Sequence, residues 1–166
     1  MNPDTLAYRV PPRLTEMREA GKRVVFTNGC FDLLHPGHVA YLRTARSLGD
    51  ALVVGLNSDA SLRRLKGPSR PVVPQGDRAF MLEALESVDA VVVFGEDTPV
   101  RLMRVLRPAV YVKGGDYRIE DLPEAEVADE IGAQVKILPF ETGYSTSALI
   151  EKMKGLSHAP GAPRAK

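Results

Sequence analysis

Tryptophan is absent, cysteine occurs once, and aromatic residues make up only 6% of the 166-residue chain. A lone thiol, Cys30, excludes an internal disulfide framework and fits a reducing compartment; as a residue type it reads first as a small buried side chain. Charge of one sign is also missing, since 22 Lys and Arg face 21 Asp and Glu, a formal net charge of +1. With so few aromatics, that balance argues against nucleic acid as a partner and against an anionic membrane surface. Any anionic ligand must be met by local charge. No stretch approaches the roughly 20 uninterrupted apolar residues of a membrane span. The segment MNPDTLAYRVPPRL lacks the basic-then-apolar order of a signal peptide, so a cytoplasmic location is expected. What is present is ordinary for a folded domain: 44% hydrophobic and 26% charged residues, on a chain long enough for one real core.

From residue 23 onward, short apolar runs alternate with helical patterns, the rhythm of βαβ units around a parallel sheet. Strands are expected at Arg23 to Asn28, Ala51 to Asn57, Ala90 to Phe94, Ala109 to Lys113 and Gln134 to Leu138. Their near-continuous Val and Ile runs suit strands covered on both faces. Helices fit Pro36 to Leu48, Asp59 to Leu65, Asp77 to Ser87, Pro99 to Leu106, Leu122 to Ile131 and Ser145 to Met153. Gly49 reads as a left-handed helix end, Gly132 as the end of the fifth helix, and Pro99 as a first helical residue behind a Thr98 cap. The fold class is therefore α/β, a doubly wound parallel five-stranded sheet of Rossmann-like form. Residues 1–22 carry a weak helical pattern and read as an extension, and 23–154 as the domain. Residues 155–166, rich in Gly, Pro and Ala, read as a disordered tail.

In such a sheet, ligands bind beyond the carboxyl ends of the strands. The turn after the first strand holds His35, Pro36, Gly37 and His38 at the start of a helix. Pro36 suits the first turn, Gly37 lets a ligand approach the backbone, and a helix N-terminus presents unpaired N–H groups to an anion. The two imidazoles add donors. The same pair can also be read as two ligands of a zinc ion or as plain surface caps, but zinc needs further ligands and the remaining His lies in the tail.

Three further turns carry polar groups. Lys66, Arg70 and Arg78, in and after a proline-rich loop, read either as a solvated basic loop or as cations for phosphate groups. Arg63 and Arg64 fit a helix surface. Lys113, Gly114, Gly115 and Asp116 follow the fourth strand; paired glycines there make a tight turn, or a backbone cradle for a base or ribose. Ser145, Thr146 and Ser147 open the last helix, where capping needs one hydroxyl and three are present.

TNGCFDLLHPGH followed by a helix resembles the signature of the cytidylyltransferase-like nucleotidyltransferases, whose histidines at this motif bind nucleotide phosphates. NSDASLRRLKGPSRPV, RAFMLEALESVDAVVVFGEDTP and VKGGDY are similar to the adenylyltransferase domain of bacterial heptose biosynthesis, over about residues 22–153. The resemblance implies a Rossmann-like nucleotidyltransferase fold, with His35, His38 and Lys66 in catalytic roles. It implies nucleotide contacts from Asn28, Gly29, Cys30, Phe31, Gly37, Lys113, Gly114, Gly115, Asp116, Ser145, Thr146 and Ser147. Asp32, Arg70 and Arg78 would then serve the substrate phosphate. Two positions depart from the broader pattern: Tyr144 stands for Ile and Ile150 for a basic residue in the last motif. Cys30 replaces a common threonine, and a thiol is the weaker donor.

The implied reaction is attack by a sugar 1-phosphate oxygen on the α-phosphorus of ATP, with Mg²⁺ accompanying the nucleotide and no metal ligand assigned to the protein. Heptose 1-phosphate is the expected acceptor and a separate sugar kinase the pathway partner; a homodimer is compatible with the sequence. Glycerol-3-phosphate cytidylyl transfer and FMN adenylyl transfer remain alternatives within the superfamily, and a non-catalytic nucleotide-binding module is an alternative outside it.

Overall fold

The computed structural model describes residues 8–139 and 143–156. Five strands form one parallel sheet: β1 (Val24–Gly29), β2 (Ala51–Asn57), β3 (Ala90–Phe94), β4 (Val110–Gly114) and β5 (Gln134–Leu138). Their spatial order is β3-β2-β1-β4-β5. The chain thus winds outward to β3, crosses back to β4 beside β1, and winds outward the other way. The order reverses between β1 and β4, which is where a doubly wound sheet opens a crevice for ligand.

Helices cover both faces. α1 (Pro12–Glu19), α5 (Val100–Leu106) and α6 (Ala125–Ile131) pack on one face, where Leu14, Leu102, Met103, Leu106, Val127 and Ala128 meet Phe26, Val53, Val92 and Tyr111. α2 (Pro36–Arg46) and α4 (Gln75–Glu83) cover the other, with Leu42, Ala45 and Leu82 against Val25, Leu52, Val54 and Val112. β2 is buried along its whole length, as its unbroken ALVVGL run requires of a strand covered on both sides. α3 (Asp59–Lys66) follows β2, a 3₁₀ turn spans Ile119–Asp121, and α7 (Thr146–Leu156) comes last.

Strand positions agree with the sequence expectation within one residue, and four details differ. Gly49 has no left-handed backbone; it is glycine because a Cβ there would lie 2.4 Å from the Arg23 carbonyl oxygen. Gly132 does take the left-handed conformation, at φ 73°. Pro99 sits one place before α5 rather than inside it. The helix expected from Leu122 starts only at Ala125, because Pro123 stands in its first turn; a 3₁₀ turn at Ile119–Asp121 precedes it. Gly155 and Leu156, expected in the tail, complete α7, and the rest of that tail lies outside the described residues. From Tyr8 onward the N-terminal extension contributes to the core: Tyr8, Val10 and Leu14 are buried in it, and the Tyr8 hydroxyl donates to Glu96.

Candidate active site

The carboxyl end of β1 runs into a loop that aims two histidines at one point. His35 is extended, at φ −141° and ψ 165°, and forms the N-cap of α2 with Pro36 as the first helical residue. Its Nδ1 accepts from the His38 backbone N–H at 3.3 Å. In the neutral imidazole, the proton therefore resides on Nε2, which is left as a donor. The rings of His35 and His38 stack at 3.7 Å, and Phe31 closes on His38 at 5.2 Å. Burial, with the neighbouring His35, pushes His38 down to about 4 against a smaller upward pull from the Leu33 backbone. Burial lowers His35 as well. Both rings are neutral at pH 7, so they stack without repulsion and present N–H donors beside the positive end of α2.

Gly37 is required by a close approach. A Cβ there would lie 3.0 Å from the Tyr144 Cβ and 3.1 Å from His35 Nδ1. The entry to α7 thus sits directly on the start of α2, with the Tyr144 ring 6.1 Å from that of His35 and near parallel to it. Ser145, Thr146 and Ser147 follow Tyr144 directly in the chain. The Ser145 hydroxyl accepts from the Ala148 N–H at 3.0 Å and caps α7.

Cations converge from the β2 side. Lys66 is exposed at the last position of α3, where Gly67 turns the chain at φ 97°. The charges of Lys66, Arg78 and Arg70 all bear on Cys30 and favour its thiolate, yet burial outweighs them and the thiol pKa is raised. Cys30 is therefore a protonated thiol and no nucleophile.

Asp32 and Arg78 differ from the expectation that they meet a substrate phosphate. Asp32 is 2% exposed and both of its oxygens are engaged: Oδ2 pairs with Arg70, and Oδ1 accepts from the Val72 and Val73 N–H groups at 2.8 and 3.0 Å. It fastens the loop between α3 and α4 and aims Arg70. The Arg78 side chain is 0% exposed. Its guanidinium donates to the carbonyls of Val73, Cys30 and Asn57 and to Asp59 Oδ1 at 2.7 Å. A fully enclosed guanidinium cannot touch a ligand, so Arg78 is an internal brace between β1, β2 and α4. Sequence reasoning missed Asp59, whose backbone N–H is also held by Gln75 at 2.8 Å. The available signal was an acidic residue two places beyond the end of β2.

At the switch point, Asn28 and Gly29 end β1 beside Lys113 and Gly114 at the end of β4. Gly115 is buried at φ 128°, which favours glycine, and its N–H donates to the Leu138 carbonyl at 2.9 Å. Asp116 follows, exposed. Lys113 is not a free cation: its Nζ lies 2.9 Å from Glu124 Oε1, a carboxylate missed in the sequence because it comes eleven residues later, at the cap of α6.

The cytidylyltransferase-like family model matches residues 26–152, which include every site element described above. The chain is 59% identical over 133 residues to the bifunctional protein HldE of Geobacter sulfurreducens, covering 80% of this chain and 27% of that protein. It is 55% identical over 133 residues to the bifunctional protein HldE of Helicobacter pylori strain J99, covering 80% and 28%. The chain thus spans less than a third of the length of these curated relatives. A crystal structure of the lipopolysaccharide core biosynthesis protein from Thermoplasma volcanium superposes with a TM-score of 0.60 at 30% identity, covering 75% of this chain and all of that one.

Proposed function

Because this chain belongs to the cytidylyltransferase-like family, we propose that it transfers AMP from ATP to a sugar 1-phosphate, D-glycero-β-D-manno-heptose 1-phosphate, giving ADP-sugar and pyrophosphate. The observation that carries the reading is the neutral, stacked His35 and His38 pair at the N-terminus of α2, with Lys66 and Arg70 arriving from the neighbouring loop. Relatives described as bifunctional support a sugar kinase as the source of the acceptor, and the lipopolysaccharide protein supports a sugar phosphate as the acceptor class.

The chemistry needs no strong base. A phosphate monoester has its second pKa near ~6 and is largely a dianion at pH 7. Its oxygen bonds to the α-phosphorus of ATP while the bond from that phosphorus to the bridging oxygen breaks, and pyrophosphate leaves with the electron pair. The protein's work is to bring two polyanions together and to stabilise charge on the transferring group. His35 and His38 donate hydrogen bonds to nucleotide phosphates, and Lys66 and Arg70 neutralise repulsion between the two substrates. The β4 loop with Lys113, Gly114, Gly115 and Asp116 takes the base and ribose, and Ser145, Thr146 and Ser147 take the terminal phosphates.

Mg²⁺ accompanies the nucleotide in this reading. Asp32 has both oxygens engaged, and among the described residues no three His, Cys, Asp or Glu side chains group to hold a metal. When bound with the nucleotide, the ion would supply charge neutralisation on the phosphates.

The test is pyrophosphate release with ATP, CTP or GTP, each against heptose 1-phosphate, glycerol 3-phosphate and FMN, in the presence of Mg²⁺. Release from ATP with the heptose phosphate alone is expected. Release from CTP with glycerol phosphate, or no release beside measurable ATP binding, refutes the proposed substrate.

A further inference from the structure

Phe26, Asn28, Tyr111 and Lys113 share one face of the sheet, since side chains two apart on a strand point the same way and Phe26 stands opposite Tyr111. The rings of Phe26 and Tyr111 stack at 6.0 Å. The Tyr111 hydroxyl lies 2.8 Å from Asn28 Oδ1. Above that face sits Glu124, 2% exposed, with Oε1 on Lys113 and Oε2 buried without a hydrogen-bond partner. The Glu124 carboxylate also bears on the Tyr111 hydroxyl; burial and that negative charge raise the phenol pKa above its ordinary value. Four polar groups therefore run from β1 to β4 across the point where the strand order reverses.

The phenol has one proton, and giving it to Asn28 Oδ1 leaves the buried Glu124 Oε2 without a donor, an unfavourable state for a carboxylate oxygen. A half turn of the Asn28 amide exchanges two atoms of nearly equal size and leaves the packing unchanged. Asn28 Nδ2 then donates to the phenol oxygen, and the phenol proton turns to Glu124.

We propose that Asn28 adopts this second orientation and that Glu124 is a positioning residue. Through Tyr111 it holds Asn28, and directly it holds Lys113, so the loops after β1 and β4 keep one relative geometry. The inference rests on the proposed function in one respect: those loops are the ones assigned to the nucleotide.

The experiment is calorimetric titration of Mg²⁺-ATP into the full chain, the Glu124→Gln and Tyr111→Phe variants and the double variant, with melting temperatures recorded alongside. A Gln cannot accept from Lys113 and Tyr111 at once, and Phe keeps the ring stack while removing the hydroxyl. Each single variant is expected to weaken ATP binding by about tenfold, a change of one to two hydrogen bonds. The double variant is expected to lose no more than the weaker-binding single one, because both break the same line. Unchanged affinity in either single variant overturns the inference, as do additive losses or a loss of affinity that appears only where the variant has melted. A parent chain that binds no ATP refutes the proposed function itself and the inference with it, whereas parental binding with indifferent variants refutes the inference alone.

Discussion

Burial beside His35 keeps His38 neutral, with one ring N–H donor and one ring acceptor. This has a consequence for stability. The imidazole's ordinary value is 6.5 and the folded one about 4, so between these values the unfolded chain binds more protons than the folded one. The contribution is therefore fully present above pH 6.5 and is lost as pH falls toward 4. Thermal melts of the parent and a His38→Asn variant across pH 7 to 4 should show the parent losing its relative advantage in that window; parallel curves contradict the assignment. At Lys66, exposed at the end of its helix, the expectation is kinetic rather than structural. Lys66→Ala should lower kcat for pyrophosphate release by about 10² with an unchanged melt, the scale of removing one charge-stabilising donor. An unaltered rate would return Lys66 to the role of a solvated surface charge. The placement of the histidine pair at a helix start was readable from sequence because Pro36 behind His35 is a local start signal. Arg78 was misread because burial is a property of tertiary packing: the carbonyls that surround it belong to Val73, Cys30 and Asn57, on three separate segments.

The loop between α3 and α4 is the element on which the cationic side of the site depends. Asp32 fastens it through Arg70 and two backbone N–H groups. Asp32→Asn keeps the shape but removes the charge and turns one acceptor into a donor, so one fastening fails. A stability loss of about 2 kcal/mol is expected, the worth of a hydrogen bond to a charged group. The KM for the sugar phosphate should rise with it, because Arg70 loses its aim; initial-rate kinetics on the folded variant check this, and an unchanged KM separates Arg70 from the acceptor. Among the elements, strands were the most legible, since runs such as ALVVGLN admit no other reading between turn signals. Helix ends were less so. Gly49 looked like a left-handed cap and is instead a contact with the Arg23 carbonyl, a constraint set by a neighbour 26 positions away. Asp32 carried no signal of its role for the same reason: its partners lie about forty residues on.

At the scale of the whole molecule, one sheet order places the histidine loop, the basic loop and the glycine loop at a common edge. The order β3-β2-β1-β4-β5 follows from the alternating strand and helix rhythm only when the reversal point is known, and the turns at strand ends pointed to that edge without giving it. The segment from Tyr8 to β1 is part of this fold, since Tyr8, Val10 and Leu14 complete the core that backs β1 and β4. Removing residues 1–22 should therefore cost about 3 kcal/mol or more, from the apolar side chains returned to water. Denaturant titration of the shortened chain checks this, and an unchanged midpoint contradicts it. In the proposed function, the His35 and His38 end of α2 supports transfer of a nucleotidyl group to a sugar phosphate. Its most direct test is the rate of pyrophosphate release from ATP and heptose 1-phosphate by the parent and by His38→Ala. The expected result is turnover by the parent and a kcat lower by about 10² or more in a variant that still folds. A folded His38→Ala protein with near-parental kcat would contradict it.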